Sequence, residues 1–260
     1  MREHLIEKYL RKDKLPHIWC SGCGHGIVLK ALIEAIDSLD CNKEDICVVS
    51  GIGCSSRAAQ YMNFDTIHTL HGRAIPYATG IKLANPKLKV IVISGDGDAT
   101  AIGGNHLIHG CRRNIDLTLI VMNNNIYGMT GGQCSPTTPK NARTTTTEDG
   151  NLCNDFNICN LCDAAGATYV ARGTVAHYNQ LVKAITGAIN NKGFSMVEAL
   201  TPCPVQYGRR NSQRRPSDMY KALMEGVKSQ DEKLKIGVLK DTTEPEYVGQ
   251  YINNVLMEEK

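Results

Sequence analysis

Two short apolar runs, each ending in polar residues, constrain the fold of this chain more than any other feature. Residues 90–94 lead into Gly-Asp-Gly-Asp at 95–98, and residues 117–122 lead into three asparagines at 123–125. Continuous apolar runs of this length are typical of strands buried on both faces of a parallel sheet. The intervening residues 99–112 are long enough for a crossover helix, so the pattern predicts a βαβ unit with two polar tips at one edge of a sheet.

These polar tips predict a site for a metal diphosphate. Gly95 and Gly97 allow a sharp turn and a close approach of backbone to phosphate, and the following helix presents free N–H groups to an anion. Asp96 supplies a hard oxygen for Mg²⁺, and Asn124 supplies an amide oxygen from the second tip. A Gly-Asp-Gly triplet alone is equally typical of an ordinary turn, so the prediction depends on the pairing of the two tips.

Length and charge narrow the class of protein. The 260 residues can bury one complete core, and a net charge of +3 gives no reason to expect nucleic acid or a membrane surface as a partner. The chain has no run of 18 apolar residues, and residues 1–10 are too charged for a signal peptide. We therefore expect a cytoplasmic protein. Residues 1–19 are expected to be a packing or docking segment.

Four of the eleven cysteines have the surroundings of metal ligands. Cys20 and Cys23 form a Cys-x-x-Cys pair among glycines, which leaves backbone N–H groups free to point at sulfur. Cys54 follows an apolar run in a Gly-rich loop, and Cys203 lies between two prolines directly after the predicted strand 195–200. Since the ends of parallel strands converge, we expect these thiols to meet around a metal, with zinc and iron–sulfur both open at this point.

The other cysteines are interpreted differently. Cys153, Cys159 and Cys162 could form a second metal site, but residues 158–167 predict a small-residue helix in which cysteine is a compact apolar filler, so their roles stay open. We interpret the remaining four as packing or incidental residues: Cys41, Cys47, Cys111 and Cys134.

Candidate catalytic groups lie on the loops near these motifs. His25 lies between two glycines and His71 is followed by one, and Arg57 follows Cys54 by three residues, so each could contact phosphate or a substrate carboxylate. A hydrogen-bonded structural histidine and a solvated arginine are the competing interpretations. The hydroxyl and amide side chains of residues 126–138 are expected to bind diphosphate oxygens.

The later part of the chain changes in character. Residues 139–156 predict a mobile surface loop, and a further βα element follows with a helix over 176–190. A basic cluster occupies residues 207–216. We divide the chain into a cofactor-binding domain over residues 1–210 and a charged C-terminal extension over residues 211–260. This extension could be a docking surface, either for a partner subunit or for an acidic electron carrier, or it could be an ordinary solvated surface.

Taken together, these motifs resemble the β subunits of the 2-oxoacid:ferredoxin oxidoreductases, from residue 20 to about residue 211. The similarity is greatest to the 2-oxoglutarate branch, on account of Ser-Pro-Thr-Thr-Pro at 135–139 and Tyr-Gly-Arg-Arg-Asn at 207–211. The motifs that match in order are Cys-Ser-Gly-Cys-Gly-His-Gly (20–26), Gly-Ile-Gly-Cys-Ser-Ser (51–56), His-Gly-Arg-Ala (71–74), Gly-Asp-Gly-Asp (95–98) and Tyr-Gly-Met-Thr-Gly-Gly-Gln (127–133).

The resemblance implies a fold and a set of cofactors. The fold is α/β, a doubly wound and mostly parallel sheet with helices on both faces, followed by the charged C-terminal extension. Thiamine diphosphate (ThDP) is held through Mg²⁺ by Asp96, Asn124 and the carbonyl of Ile126. A [4Fe–4S] cluster is held by Cys20, Cys23, Cys54 and Cys203. The residues implied to contact the cofactor are His25, Gly53, Cys54, Ser55, His71, Gly95, Asp96, Gly97, Asp98, Asn124, Ile126, Tyr127, Gly128, Met129 and Thr130.

The resemblance also implies a reaction and its partners. The reaction is the reversible, coenzyme A-dependent oxidative decarboxylation of 2-oxoglutarate to succinyl-CoA and CO₂, with electrons passing from ThDP through the cluster to ferredoxin. An α subunit supplies the glutamate that activates the ThDP pyrimidine, and further ferredoxin-like subunits can join. Three alternatives remain: the same reaction on pyruvate or a branched-chain 2-oxoacid, a non-redox ThDP decarboxylase subunit with structural zinc, and a purely structural or regulatory subunit.

Overall fold

A seven-stranded sheet forms the centre of the part of the chain that the computed structural model describes, residues 3–229 and 234–256. In chain order the strands are β1 (Ile46–Ser50), β2 (Asp65–His68), β3 (Lys89–Gly95), β4 (Thr118–Asn123), β5 (Tyr169–Thr174), β6 (Ser195–Leu200) and β7 (Gly237–Asp241). Their spatial order is β2-β1-β3-β4-β6-β5-β7, and all pairings are parallel except that of β5 with β7. Strands β1, β3, β4, β5 and β6 are buried almost throughout, which explains why their sequences are mainly apolar.

Helices cover both faces of this sheet. In chain order they are α1 (Glu3–Tyr9), α2 (His25–Ser38), α3 (Arg57–Tyr61), α4 (Ala74–Ala84), α5 (Asp96–Thr100), α6 (Gly104–Arg112), α7 (Ile158–Ala164), α8 (Tyr178–Asn190), α9 (Pro216–Lys228) and α10 (Tyr247–Tyr251). One apolar core lies beneath α1, α2, α3 and α8, and a second lies on the opposite face beneath α4, α6 and α7. The predicted doubly wound α/β fold is confirmed.

The predicted βαβ unit is present, but its crossover differs from the expectation. Strands β3 and β4 are neighbours, with Gly95 paired to Met122, so their polar tips lie side by side. The expected single helix over residues 99–112 is two helices, α5 and α6, and Asp96 is the first residue of α5 rather than part of a loop. Between the two helices the backbone of Gly103 approaches that of Asp98 so closely that a Cβ would collide with it, so this position requires glycine.

Residues 139–156 are more buried than the predicted surface loop would be. It forms no helix or strand, as expected, but Thr144 and Asn151 are buried, although Thr144 begins the threonine-rich run. The Asn151 side chain donates a 2.7 Å hydrogen bond to the carbonyl of Thr138. This contact ties the segment to the chain that follows β4.

Both ends of the described chain pack against the domain. Leu5 and Tyr9 of α1 are buried, and the Tyr9 hydroxyl donates a hydrogen bond to Asp37 at 2.9 Å. At the other end, β7 joins the edge of the sheet beside β5, a strand that the charged sequence of this region did not predict. Among the described residues, no helix has the length and apolar character needed to cross a lipid bilayer.

Candidate cofactor site

A cavity of about 380 Å³ opens at the carboxyl edge of the sheet, beyond the ends of β1, β3 and β4. Every residue that the sequence implied to contact the cofactor lies on its wall, together with Ile52, Met122 and Gln133. Parallel strands end at a common edge, so the loops that follow them converge although they are far apart in the chain. The structure thus brings the residues implied to contact the cofactor around one space.

Asp96 lies at the base of this cavity and is 2% exposed. Its Oδ2 accepts hydrogen bonds from the hydroxyls of Ser135 and Thr137, both at 2.6 Å, and the backbone N–H of Asn124 acts on the same carboxyl group. Burial raises the pKa of Asp96, and the hydroxyl donors only partly offset this effect. A divalent cation here would stabilise the ionised carboxylate, so the residues fit a Mg²⁺ site.

The turn after β4 forms the facing wall. The Asn124 side chain accepts a hydrogen bond from the backbone N–H of Ile126 at 3.3 Å, and the Tyr127 hydroxyl donates to the carbonyl of Gly97 at 3.1 Å. The Tyr127 ring occupies the position that a Cβ at Gly97 would need, which is why glycine is required there. Burial raises the pKa of Tyr127 to about 12, so this side chain remains a phenol donor at neutral pH.

Asp98 holds the neighbouring loops together. Its Oδ1 accepts from His71 Nδ1 at 2.8 Å and from the backbone N–H of Gly72 at 2.7 Å, while its Oδ2 accepts from the Ser94 hydroxyl at 2.6 Å. Because Nδ1 of His71 faces a carboxylate, the Nε2 atom is the one left for the cavity. Asp98 therefore orients His71. The position of Asp98 at the end of the Gly-Asp-Gly-Asp motif did not predict this contact.

The other two candidate catalytic groups are placed differently. His25 lies on the cavity wall but is 1% exposed, and burial lowers the pKa of its imidazole to about 4, so it is neutral at physiological pH. Its Nδ1 lies 3.4 Å from the Thr201 hydroxyl. Arg57 is partly exposed and contacts Gln60 at 3.4 Å; it lies outside the residues that line the cavity.

A second, smaller cavity of about 210 Å³ adjoins the first and is lined by all four predicted cysteine ligands. Asn124, Gly128 and Met129 line both cavities, as does Cys54. No three or more His, Cys, Asp or Glu side chains within residues 3–229 and 234–256 lie close enough together to share a single metal ion. The four thiols instead border one shared cavity.

Backbone N–H groups point at these sulfur atoms. Those of Gln206 and Tyr207 act on Cys203, and that of His25 acts on Cys23. Burial raises the pKa of Cys23 to about 12 and that of Cys54 to about 11, so binding iron would release protons from both thiols. Four cysteines around one cavity, of which Cys23 and Cys203 receive these amide hydrogen bonds, are a donor set that fits an iron–sulfur cluster.

Several supporting residues were not predicted from the sequence. Ser135 and Thr137 were expected to bind diphosphate oxygens, but their hydroxyls bind Asp96, and the Thr138 hydroxyl binds the carbonyl of Asn125 at 2.7 Å. The Trp19 indole donates to the carbonyl of Cys54 at 2.7 Å. The sequence signal for the contacts to Asp96 was weak: it consisted of two hydroxyl residues, Ser135 and Thr137, that follow shortly after the asparagines at 123–125.

Comparison with known proteins identifies the family. A family model described as "Thiamine pyrophosphate enzyme, C-terminal TPP binding domain" matches residues 51–199. The 2-oxoglutarate synthase subunit KorB of Methanocaldococcus jannaschii is 52% identical over 256 residues, covering 94% of this chain and 95% of that protein. The chain belongs to the KorB family of 2-oxoacid:ferredoxin oxidoreductase subunits. The KorB subunit of Archaeoglobus fulgidus is 49% identical over 250 residues, covering 96% of this chain and 90% of that protein.

A solved structure extends the comparison to the fold. The 2-oxoglutarate:ferredoxin oxidoreductase of Magnetococcus marinus, solved with 2-oxoglutarate, coenzyme A and succinyl-CoA bound, matches with a TM-score of 0.86 and 32% identity. The match covers 100% of this KorB-family chain and 91% of the matched chain. This KorB-family chain is therefore a subunit of an enzyme complex and carries a thiamine pyrophosphate-binding domain. The predicted family resemblance is confirmed.

Proposed function

We propose that this KorB-family subunit binds ThDP, Mg²⁺ and a [4Fe–4S] cluster. With an α subunit it converts 2-oxoglutarate and coenzyme A to succinyl-CoA and CO₂, reversibly, and passes two electrons to ferredoxin. The observation that carries the proposal is the shared wall between the two cavities, where Cys54, Asn124 and Gly128 border both spaces. An electron source and an electron acceptor held on either side of one wall are close enough for direct transfer. The substrates bound to the Magnetococcus marinus enzyme support the choice of 2-oxoglutarate.

Mg²⁺ and the diphosphate occupy the base of the larger cavity in this proposal. Asp96 supplies a carboxylate oxygen, Asn124 an amide oxygen and Ile126 a carbonyl oxygen, and all three lie on the cavity wall. Ser135 and Thr137 orient the Asp96 carboxylate, leaving its other oxygen for the metal. Hard oxygen ligands held by short hydrogen bonds match the geometric demands of Mg²⁺.

The protein's own contribution to catalysis is to position side chains around the proposed cofactor and substrate. When bound, ThDP supplies the electron sink that accepts the electron pair released as CO₂ departs. Asp98 holds His71 with its Nε2 toward the cavity, where it can donate to or accept from an oxygen of the substrate. His25 is neutral and buried behind this space, so it adds no charge to the site. Arg57, which is not among the residues that line the cavity, stays the proposed contact for a substrate carboxylate.

The cluster occupies the smaller cavity, with Cys20, Cys23, Cys54 and Cys203 as its ligands. Four thiolates around a single Zn²⁺ would meet at about 2.3 Å from one point, whereas no group of three or more such side chains among the described residues meets around a single ion position. The backbone N–H groups directed at Cys203 would stabilise the additional negative charge of a reduced cluster. The cavity therefore suits a one-electron acceptor better than a structural zinc ion.

An α subunit is expected to cover the mouth of the larger cavity and to supply the glutamate that activates the ThDP pyrimidine. Apolar side chains are exposed on the loops at or beside this mouth: Ile52 by 41%, Leu70 by 68%, Ile102 by 53% and Met129 by 43%. Ile52 and Met129 also line the cavity itself. Apolar exposure around a polar site is typical of a protein interface.

Ferredoxin docking is proposed beside the smaller cavity. Cys20 is exposed at its rim, next to Ile18, which is 63% exposed. The basic cluster of residues 207–216 lies nearby, because Pro216 packs where a Cβ of Gly22 would be. Its arginines would attract an acidic electron carrier. In this proposal, residues 1–210 hold the cofactors and residues 211–260 contribute to docking. Additional ferredoxin-like subunits would use the same face, and the assembly is proposed to be cytoplasmic.

Gly128 separates the two proposed cofactors, and this yields a specific prediction. A Cβ at this position would lie 3.6 Å from the sulfur of Cys203 and 3.7 Å from that of Cys54, which are ordinary van der Waals distances. Gly128→Ala is therefore expected to fold with a stability within about 1 kcal/mol of wild type. Its methyl group would enter the space between the cofactors, so iron and ThDP occupancy should fall. Iron assay and ThDP titration of the purified protein measure this, and unchanged occupancy of both would contradict the placement.

The proposed function is tested by anaerobic co-purification with the partner subunit and assay with 2-oxoglutarate, pyruvate and branched-chain 2-oxoacids. We expect CoA-dependent reduction of ferredoxin with 2-oxoglutarate as the preferred substrate, and a KM for ferredoxin that rises with ionic strength. The 260-residue chain alone should be inactive. Sole activity with pyruvate would overturn the substrate assignment. An aldehyde product without iron would indicate the non-redox alternative.

A further inference from the structure

We propose that Glu198 is a positioning residue for the metal site, although it lies outside the cofactor cavity. The inference rests on the proposed function, because it concerns how Asp96 and Asn124 are held as Mg²⁺ ligands. Glu198 is 3% exposed in the middle of the sheet, on β6. A buried carboxylate in such a strand is costly unless it is paired and hydrogen-bonded, and even a buried ion pair adds little net stability.

Contacts from two elements hold one oxygen of the Glu198 carboxylate in place. Arg172, its partner in the register of β5 and β6, donates from Nε to Oε2 at 2.7 Å. The Cys159 thiol of α7 lies 3.3 Å from the same oxygen. These contacts leave the other oxygen, Oε1, directed at β4, where it accepts a 2.7 Å hydrogen bond from Nδ2 of Asn123.

This bond decides which way the Asn123 amide faces. With Nδ2 toward Glu198, the Oδ1 atom accepts the backbone N–H of Asn125 at 3.0 Å and lies 3.1 Å from the Thr137 hydroxyl. The opposite orientation would set Oδ1 against the carboxylate and leave the N–H of Asn125 facing an amide nitrogen. The charge of Glu198 therefore fixes a single orientation.

Through that orientation, Asn123 contacts both halves of the proposed metal site. Asn125 has a φ of +61°, and its N–H bond to Asn123 closes the turn that carries Asn124 and Ile126. On the other side, the Thr137 hydroxyl donates a hydrogen bond shared between two acceptors, Asp96 Oδ2 at 2.6 Å and Asn123 Oδ1 at 3.1 Å, with the shorter contact to Asp96. Asn123 thus confines the hydroxyl that orients the carboxylate ligand.

Glu198 acts from a separate space. It lines a third cavity, of about 360 Å³, with Arg172, Asn123 and Thr137, whereas the cofactor cavity is lined by other residues. It therefore does not touch the proposed cofactor, and its effect must pass through Asn123. Loss of an outer carboxylate that orients a metal ligand typically reduces metal affinity about 10- to 100-fold.

The test is Glu198→Gln in the complex with the partner subunit, using Mn²⁺ as the probe at saturating ThDP. A glutamine amide must place its NH₂ group against a donor, either Asn123 Nδ2 or the Arg172 and Cys159 pair. We expect the Kd for Mn²⁺, measured by electron paramagnetic resonance, to rise about 10-fold or more. Turnover at saturating Mn²⁺ should return to within about threefold of wild type, and iron content should be unchanged.

Two further variants make the result decisive. Asn123→Ala removes the link while leaving the Arg172–Glu198 pair intact, so it should weaken Mn²⁺ binding similarly and decides the matter if Glu198→Gln does not fold. Lys82→Met breaks another buried ion pair, 2.7 Å from Asp116 before β4, and should lower thermal stability without changing Mn²⁺ affinity. Wild-type Mn²⁺ affinity in a folded Glu198→Gln variant, or in Asn123→Ala, would overturn the inference alone. A wild-type complex that binds no Mn²⁺ with ThDP would instead refute the proposed function.

Discussion

Asp96→Asn is expected to reduce turnover of the assembled enzyme by about 10³-fold, because a neutral amide replaces the one carboxylate among the proposed Mg²⁺ ligands. If that contact contributes about 4 kcal/mol, the rate falls by this factor. Asparagine keeps the size of the side chain, and its amide oxygen can still accept from Ser135 and Thr137. The measurement is 2-oxoglutarate-dependent reduction of ferredoxin, together with calorimetric titration of ThDP in the presence of Mg²⁺.

The matched control for this prediction is Asp163→Asn. Asp163 is an exposed carboxylate paired with Lys240 at 2.9 Å, so its replacement should change neither turnover nor ThDP affinity. Iron content should be the same in both variants and in wild type, since Asp96 is not a proposed cluster ligand. Near-normal turnover and ThDP affinity in Asp96→Asn would show that the subunit is structural or regulatory and that the cofactor is held elsewhere.

Cys54→Ser is expected to remove or degrade the cluster and to lower ferredoxin reduction by about 100-fold or more, because the cluster provides the proposed path for electrons. Cys54 lines both cavities, so it is the proposed ligand nearest the electron source. Serine preserves the size and polarity of the side chain but is a poor ligand for iron. The measurements are iron and sulfide content and the electron paramagnetic resonance signal after reduction.

Cys41→Ser is the control for this second prediction. Cys41 is partly buried like Cys54, but its thiol contacts only the carbonyl of Leu39 among the hydrogen bonds of the described chain, at 3.6 Å. This variant should retain iron, the resonance signal and turnover. If Cys54→Ser kept the wild-type signal, the ligand assignment would be wrong. Zinc in place of iron in the wild-type protein would support the structural-zinc alternative.

Part of the site was predictable because it depends on strand ends. A continuous apolar run indicates a strand buried on both faces, and parallel strands end at the same edge. Asp96 and Asn124 follow two such runs, so their proximity required no knowledge of other contacts. The same reasoning placed Cys54 and Cys203, which follow β1 and β6, beside the same edge.

Other features depend on contacts between distant segments. The hydroxyl of Thr137 lies 41 residues from Asp96 in the chain, and nothing in its local sequence distinguishes a donor to a carboxylate from a donor to phosphate. The ion pair of Arg172 and Glu198 joins two strands whose sequences, taken separately, show only a charged residue in an apolar run. Likewise β7 forms because the edge of β5 is available, not because residues 237–241 have strong strand character.

The sequence by itself determined the α/β class, the two polar tips, the four cysteines and the family, because each depends on a local pattern or on the order of motifs along the chain. Only the tertiary structure decided that the two cavities share the wall formed by Cys54, Asn124 and Gly128. It alone decided which side chains orient Asp96 and which carboxylate orients Asn123. The physical reason is that a hydrogen bond is specified by the positions of two groups at once, and sequence patterns specify one group at a time.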